Sequence, residues 1–451
     1  MQDTTPAPGA LAGMRVLELA QIMAGPTCGM MLADLGAEVI KIEKTDGGDD
    51  ARGYREPQIN GVSAPFLMLN RNKRAIALDL KTPEGRAVFL RMVKDADVVI
   101  ENFRKGTLEK LGLGYDTLSR HNPGLIYCAI SGYGRTGPAA DKGGFDLIAQ
   151  GFSGLMSITG EQGGPPLRTG NSIADINAGI LAAFGILAAY QHKQKTGRGQ
   201  VVETSLIEAG LQQLYWHAAI HFATGESPGP SGSAHILATP YQAFPTQDGH
   251  IIIGGANEKN WERIAQVLGK PEWLDDPRYR LNADRMRHRD SLLPAIGEIL
   301  RTQPSAHWLV EFDRAGVPVG PVHSIGEALS HPQTLARGMV VEQDHAQAGP
   351  IKTLGLPVQL SETPARYLRP APRLGEHTRA LLAEYGYGDE EIESDAGGRS
   401  RAGDCRGAMR MWRAGPRYDK LAGYHQPDPP WKRWSFAEPA PKTLPPSARL
   451  P

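Results

Sequence analysis

The chain has 451 residues, and 49 Lys and Arg balance 49 Asp and Glu. That balance argues against a nucleic-acid or membrane-surface partner, both of which favour a basic excess. The length exceeds what one hydrophobic core usually serves, so two domains are expected. The three cysteines, Cys28, Cys128 and Cys405, are far apart and in no metal-ligand spacing. No metal site or disulfide framework is therefore expected, and a reducing cytoplasm fits. The N-terminus lacks a basic segment leading into an apolar one, so no secretory signal is read. No window approaches the roughly 20 uninterrupted apolar residues of a membrane span. The most apolar stretch, 180–190, reads as a buried helix.

In chain order, 15–20 (RVLELA) is a strand rich in branched residues. Pro26 is placed at the first position of the next helix, where its missing N–H costs nothing. An apolar face runs to a stop at Gly36, and 38–43 (EVIKIE) is the next strand. Strand, helix and strand in about 30 residues is a βαβ unit, which implies a parallel sheet. Strands at 75–80, 97–100 and 125–131 continue the rhythm. Helices are expected from an N-cap at Thr82 to Val93, over 145–156, and from Asp175 to about Gln194. This is a doubly wound α/β domain.

The character changes near residue 225. A Pro/Gly/Ser stretch (227–233) leads to a hairpin of 241–244 and 250–253, turning at Asp248-Gly249, and to helices at 259–268, 291–300 and 305–315. The division expected is a large domain over 10–224, a small α+β domain over 225–326, and a return to the large domain over 327–390. Residues 395–451 lose apolar periodicity and read as a disordered tail.

Ligands of open α/β sheets bind at the carboxyl ends of the strands. The first such loop, 19–26, lacks the Gly-x-Gly-x-x-Gly fingerprint of a dinucleotide site. Basic groups gather near strand ends: Asn70 to Arg74, Lys81, and Arg104, Lys105 and Lys110 beside Phe103. Together they suit phosphates and a stacked base. Arg52, Arg71 and Arg168 are candidates for a substrate carboxylate. Gly143, Gly144, Phe145 and Asp146 precede a Gly-rich run. Asp175 then opens a long apolar helix, a position that by itself reads as an N-cap.

The strings RVLELAQIMAGPTCGMMLADLGAEVIKIEK, NRNKRAIALDLKTPEG, ENFRKGTLEKLGLGY, SIADINAG, KTGRGQ and HPQTLARGM together resemble the family III CoA-transferases over about residues 10–390. The resemblance implies a Rossmann-like large domain built from both ends of the chain, a smaller domain between them, and a homodimer of two interlocked rings. It implies that Asp175 is the nucleophile. It places coenzyme A, a substrate here and used without a metal, at Met23, Ala24, Lys44, Leu78, Asp79, Leu80, Lys81, Asn102, Phe103, Arg104, Lys110, Gly143, Gly144, Phe145 and Asp146. Gly254 and Gly255 match the segment that covers the acyl group in some members, and with Arg168 they are the expected substrate contacts. Met23 stands where some members have glutamine, which argues against simple transfer of oxalate specificity.

The activity implied is transfer of CoA from an acyl-CoA donor, succinyl-CoA being common in the family, to a carboxylic acid through an aspartyl-CoA thioester. The α-methylacyl-CoA racemases share the fold, but they have a histidine where this chain has Phe145. A non-catalytic CoA-binding protein is the third alternative.

Overall fold

The computed structural model of the protein describes residues 8–393; Cys405 and the 395–451 tail lie outside them. Six strands form one parallel sheet: β1 (Arg15–Glu18), β2 (Glu38–Glu43), β3 (Arg74–Ala77), β4 (Val98–Glu101), β5 (Ile126–Ser131) and β6 (Val201–Ser205). Their order is β3-β2-β1-β4-β5-β6, and every pairing is parallel. The chain steps outward from β1 to β3 and then returns to the other side of β1. The loops after β1 and β4 therefore diverge at the sheet's switch point, where a crevice opens.

The helices that matter for the site are α1 (Ala24–Asp34), α2 (Pro83–Val93), α3 (Asp146–Phe152), α4 (Ile173–Thr196), α5 (Leu206–Gln212) and α6 (Tyr215–Thr224). One face of the sheet packs on α1 and α4. The other packs on α2, and Leu381, Leu382, Tyr385 and Ile392 near the end of the described chain join it. In α2, Thr82 Oγ1 accepts from the Gly85 N–H at 3.1 Å, and Val88, Phe89, Met92 and Val93 are buried at helical spacing. Burying an aliphatic or aromatic side chain of this size stabilises the fold by roughly 1.5–3 kcal/mol.

Helix α4 buries Ala174, Ala178, Ala182, Ala183, Ile186 and Ala189, so its core face is made of small side chains. Its backbone can thus lie close to α1 and the sheet. Ile180 and Phe184, on the far side, are exposed. By length and composition alone α4 is apolar enough to cross a membrane, which corrects the expectation that no window comes near a span; in this fold it is a core helix.

Several boundaries differ from expectation. Helix α1 starts at Ala24, two residues before Pro26. Any first-turn position tolerates proline, because those N–H groups have no intrahelical partner. The 145–156 helix stops at Phe152 because Gly154 turns left-handed at φ 87°, and a short separate turn follows. Strand β6 and helices α5 and α6 were not anticipated, although β6 carries β-branched Val201, Val202 and Thr204.

Residues 241–321 build a second core around Phe244, Ile251, Ile253, Trp261, Ile296 and Phe312. It contains a three-stranded antiparallel sheet, Tyr241–Pro245, His250–Gly254 and Val319–Pro321. A further hairpin, Val340–His345 with Gly349–Leu354, packs near Phe66 and Leu67.

Candidate active site

A cavity of about 300 Å³ opens at the carboxyl ends of the central strands. The loop after β1 supplies Gln21, Ile22, Met23 and Ala24. The loop after β4 supplies Asn102, Phe103 and Arg104. The end of β5 supplies Ile130, Ser131 and Gly132. Gly144, Phe145, Asp175, Leu206 and Asp50 complete the lining.

Local geometry explains how these pieces meet. The Asn102 side chain donates to Gln21 O at 2.8 Å and accepts from Gln21 N at 2.9 Å, tying the β1 and β4 loops together. Glu101 accepts from the Phe103 N–H at 2.7 Å and pairs with Arg135 at 2.5 Å. Burial pushes the Glu101 carboxyl up to about 7. A Cβ on Gly144 would lie 2.6 Å from the Gly132 Cα, so only glycine lets these two backbones cross at the rim. A Cβ on Gly179 would lie 2.5 Å from Ala24 O, so glycine there lets α4 rest on the start of α1.

Asp175 is the third residue of α4, not its cap. The capping role belongs to Asp146, whose Oδ1 accepts from the N–H groups of Ala174 at 2.9 Å and Asp175 at 3.4 Å. Asp146 Oδ2 accepts from Gln150 at 2.8 Å, and Gln150 in turn accepts from the Thr169 N–H at 2.9 Å. Asp146 thus anchors the helix while the half-buried carboxylate of Asp175 faces the cavity. Burial, and secondarily the charge of Asp146, raise the Asp175 carboxyl to about 6. Such a group gives up its proton near neutrality and is then a poorly solvated, reactive carboxylate.

The cavity lining brings together eight of the expected positions: Met23, Ala24, Asn102, Phe103, Arg104, Gly144, Phe145 and Asp175. Gly143 adjoins it, a Cβ there lying 3.0 Å from the Arg104 guanidinium. Lys44 is held by Asp50 at 2.6 Å. Leu78, Asp79, Leu80 and Lys81 follow the edge strand β3, and Lys110 is exposed in the short helix Thr107–Lys110; all five lie outside the lining. Arg168 also lies outside it and donates to Gly170 O at 3.0 Å.

Some expectations fail for definite reasons. The cluster at 70–74 is not a rim of free donors. Asn70, Arg71 and Lys73 are buried, with Arg71 paired to Asp34 and Lys73 to Glu18, and Arg74 pairs with Glu38 and Glu384. Arg52 is occupied by Glu43 through two bonds of 2.7 Å. Arg52 and Arg71 both lie outside the cavity lining. Gly254 and Gly255, expected substrate contacts, lie outside the cavity lining, and their N–H groups donate to Pro318 O and Pro240 O, both at 2.8 Å. Sequence reasoning missed Gln21, Ile22, Asp50, Ile130, Ser131, Gly132 and Leu206; for most of them the one signal was position at or just after a strand end.

A parallel sheet with a pocket at its switch point, basic and aromatic groups at the rim and a reactive carboxylate within defines an α/β enzyme that handles a large anionic substrate. The chain belongs to CoA-transferase family III, whose family profile matches residues 11–378, and it is a CoA-transferase. It is similar to a succinate–glutarate CoA-transferase of Agrobacterium fabrum, 41% identical over 83% of this chain and 95% of that one. It is also similar to an acetyl-CoA:oxalate CoA-transferase of Acetobacter aceti, 39% identical over 85% of this chain and 98% of that one. Among solved structures, a CAIB/BAIF family protein from Brucella suis matches with a TM-score of 0.76 and 36% identity, covering 84% of this chain and 100% of that one.

Proposed function

We propose that this enzyme moves coenzyme A from a dicarboxylic acyl-CoA, succinyl-CoA being the leading candidate, to a second carboxylic acid through an aspartyl-CoA thioester on Asp175. The single observation that carries this is the partly desolvated Asp175 carboxylate lining the cavity at the carboxyl ends of the central strands. The names of the two relatives, which act on succinate, glutarate and oxalate, support the dicarboxylate class.

The chemistry requires a carboxylate. An Asp175 oxygen attacks the donor thioester carbonyl, and the carbon–sulfur bond breaks to leave a mixed anhydride and CoA thiolate. The thiolate attacks the aspartyl carbonyl, releasing the donor acid and forming the aspartyl thioester. The acceptor carboxylate displaces the thiolate to form a second anhydride. Thiolate then attacks the acceptor's acyl carbon, and Asp175 leaves as a carboxylate. Thioester energy is retained at each step. Arg104 is the basic side chain of the lining and suits the CoA phosphates, with Phe103 beside it for the base. Helix α1 has no side-chain cap at its N-cap Met23, and N–H groups at its start suit charge developing on the acyl oxygen. Phe145 at the rim carries no proton, so the α-proton exchange of the racemases has no base at that position.

Intact-protein mass after incubation with a panel of acyl-CoA thioesters tests this. A productive donor leaves an adduct of CoA less one water on the native enzyme, absent from Asp175→Ala and released by glutarate or another acid. Absence of any adduct across the panel sinks the covalent route.

A further inference from the structure

Ile22 lies in the left-handed region at φ 68°. The other described non-glycine residues with positive φ are Asn60 and Asn72, a type that adopts this conformation readily. A β-branched residue does not, and holding one there requires compensation from its surroundings. Ile22 is also at the cavity, directly before Met23 and the start of α1.

The compensation is visible. Asp49 Oδ1 accepts from the Ile22 N–H at 3.0 Å and from the Ala51 N–H at 2.9 Å. Asp49 Oδ2 lies 2.8 Å from the Lys41 ammonium, and both side chains are buried. Lys41 also donates to Ala20 O and Glu18 Oε1, each at 2.9 Å. The residues on both sides of Gln21 are thus held by one buried charge pair, while Asn102 clamps Gln21 itself.

We propose that Asp49, braced by Lys41, is a positioning residue that holds the loop after β1 in its left-handed turn and so aims Met23, Ala24 and the first turn of α1 at the reacting centre opposite Asp175. This rests on the reading of the cavity as the transfer site. Asp49 touches no substrate and acts through Ile22. A buried charge pair removed on one side is costly, so stability loss alone does not identify the role.

A double-mutant cycle of Asp49→Ala and Ile22→Gly, read by steady-state kinetics and by hydrogen exchange of the Ile22 amide, separates positioning from bulk stability. Glycine adopts this φ without help. Asp49→Ala alone is expected to speed Ile22 exchange and lower kcat on the order of a hundredfold, the scale of a misplaced reacting group. In the Ile22→Gly background the added loss is expected to shrink below about tenfold. An equal loss in both backgrounds, or unchanged Ile22 exchange, overturns the proposal. Asp49→Asn keeps an Oδ1 acceptor for the Ile22 N–H but loses the charge paired with Lys41. If the alanine variant does not fold, this variant tests the brace by Lys41: faster Ile22 exchange is expected, and unchanged exchange overturns the brace. Wild-type protein that turns over no donor defeats the transfer reading alone, because the exchange measurement needs no substrate.

Discussion

Asp175 and Asp146 are separated by 29 positions in sequence and by one hydrogen-bonded helix start in space. With its carboxyl raised to about 6, first by burial and then by Asp146, Asp175 is ionised only above that pH. The proposed nucleophile is therefore silenced in acid, and kcat/KM should rise with pH through about 6. Asp146→Asn removes the like charge but not the burial. A pH–rate profile of that variant should show the acid limb at lower pH, and an unmoved limb would mean the limb belongs to another group. The same shift links to stability with a definite sign. The folded chain holds this proton more tightly than the unfolded one, whose ordinary value is near 3.8. The contribution is full below that value and is lost as pH rises through about 6. Urea midpoints of Asp175→Asn should therefore vary less over that window than those of the native protein.

The crossing of α1 and α4 places the proposed nucleophile. A Cβ on Gly179 would meet Ala24 O at 2.5 Å and the Thr27 side chain at 2.9 Å. Gly179→Ala should push the helices apart, costing about 1–3 kcal/mol of stability as overpacking does. It should also lower kcat more than it raises KM, since it displaces Asp175 one turn earlier on the same helix. Thermal unfolding together with a kinetic split checks this, and an unchanged kcat would show that Asp175 tolerates the shift. The elements themselves were mostly readable: β2 spans 38–43 in both sequence and structure, and Thr82 caps α2 as its residue type suggested. The fragment 70–74 was not readable in the same way. A basic run looks like a solvated loop until the chain brings Asp34 and Glu18 against it.

At the scale of the molecule, α6 stands out. It has no buried residue, and Tyr215, Trp216 and Phe222 on it are exposed, Phe222 by 85%. Phe184 of α4 is exposed as well, and large exposed apolar side chains that lie together mark association surfaces. The homodimer that the family resemblance implies would cover them. Sedimentation should find two copies at micromolar concentration, and Trp216→Asp with Phe222→Asp should shift the protein toward one. A native protein that sediments as a single copy would remove this expectation.

Sequence by itself determined the parallel α/β sheet, because apolar strands alternating with capped helices have few other ways to bury both faces. It also determined the family, because six separated motifs occur together. It marked Asp175, but only within that resemblance, since one aspartate at a helix start is chemically indistinguishable from a cap. Tertiary structure alone decided that Asp146 takes the cap and leaves Asp175 free, that Arg52, Arg71 and Lys73 are spent in ion pairs, and that Ile22 is held left-handed by Asp49. Each of these depends on groups distant in sequence meeting at short range, where desolvation and charge act together, and such meetings are set by packing rather than by local pattern.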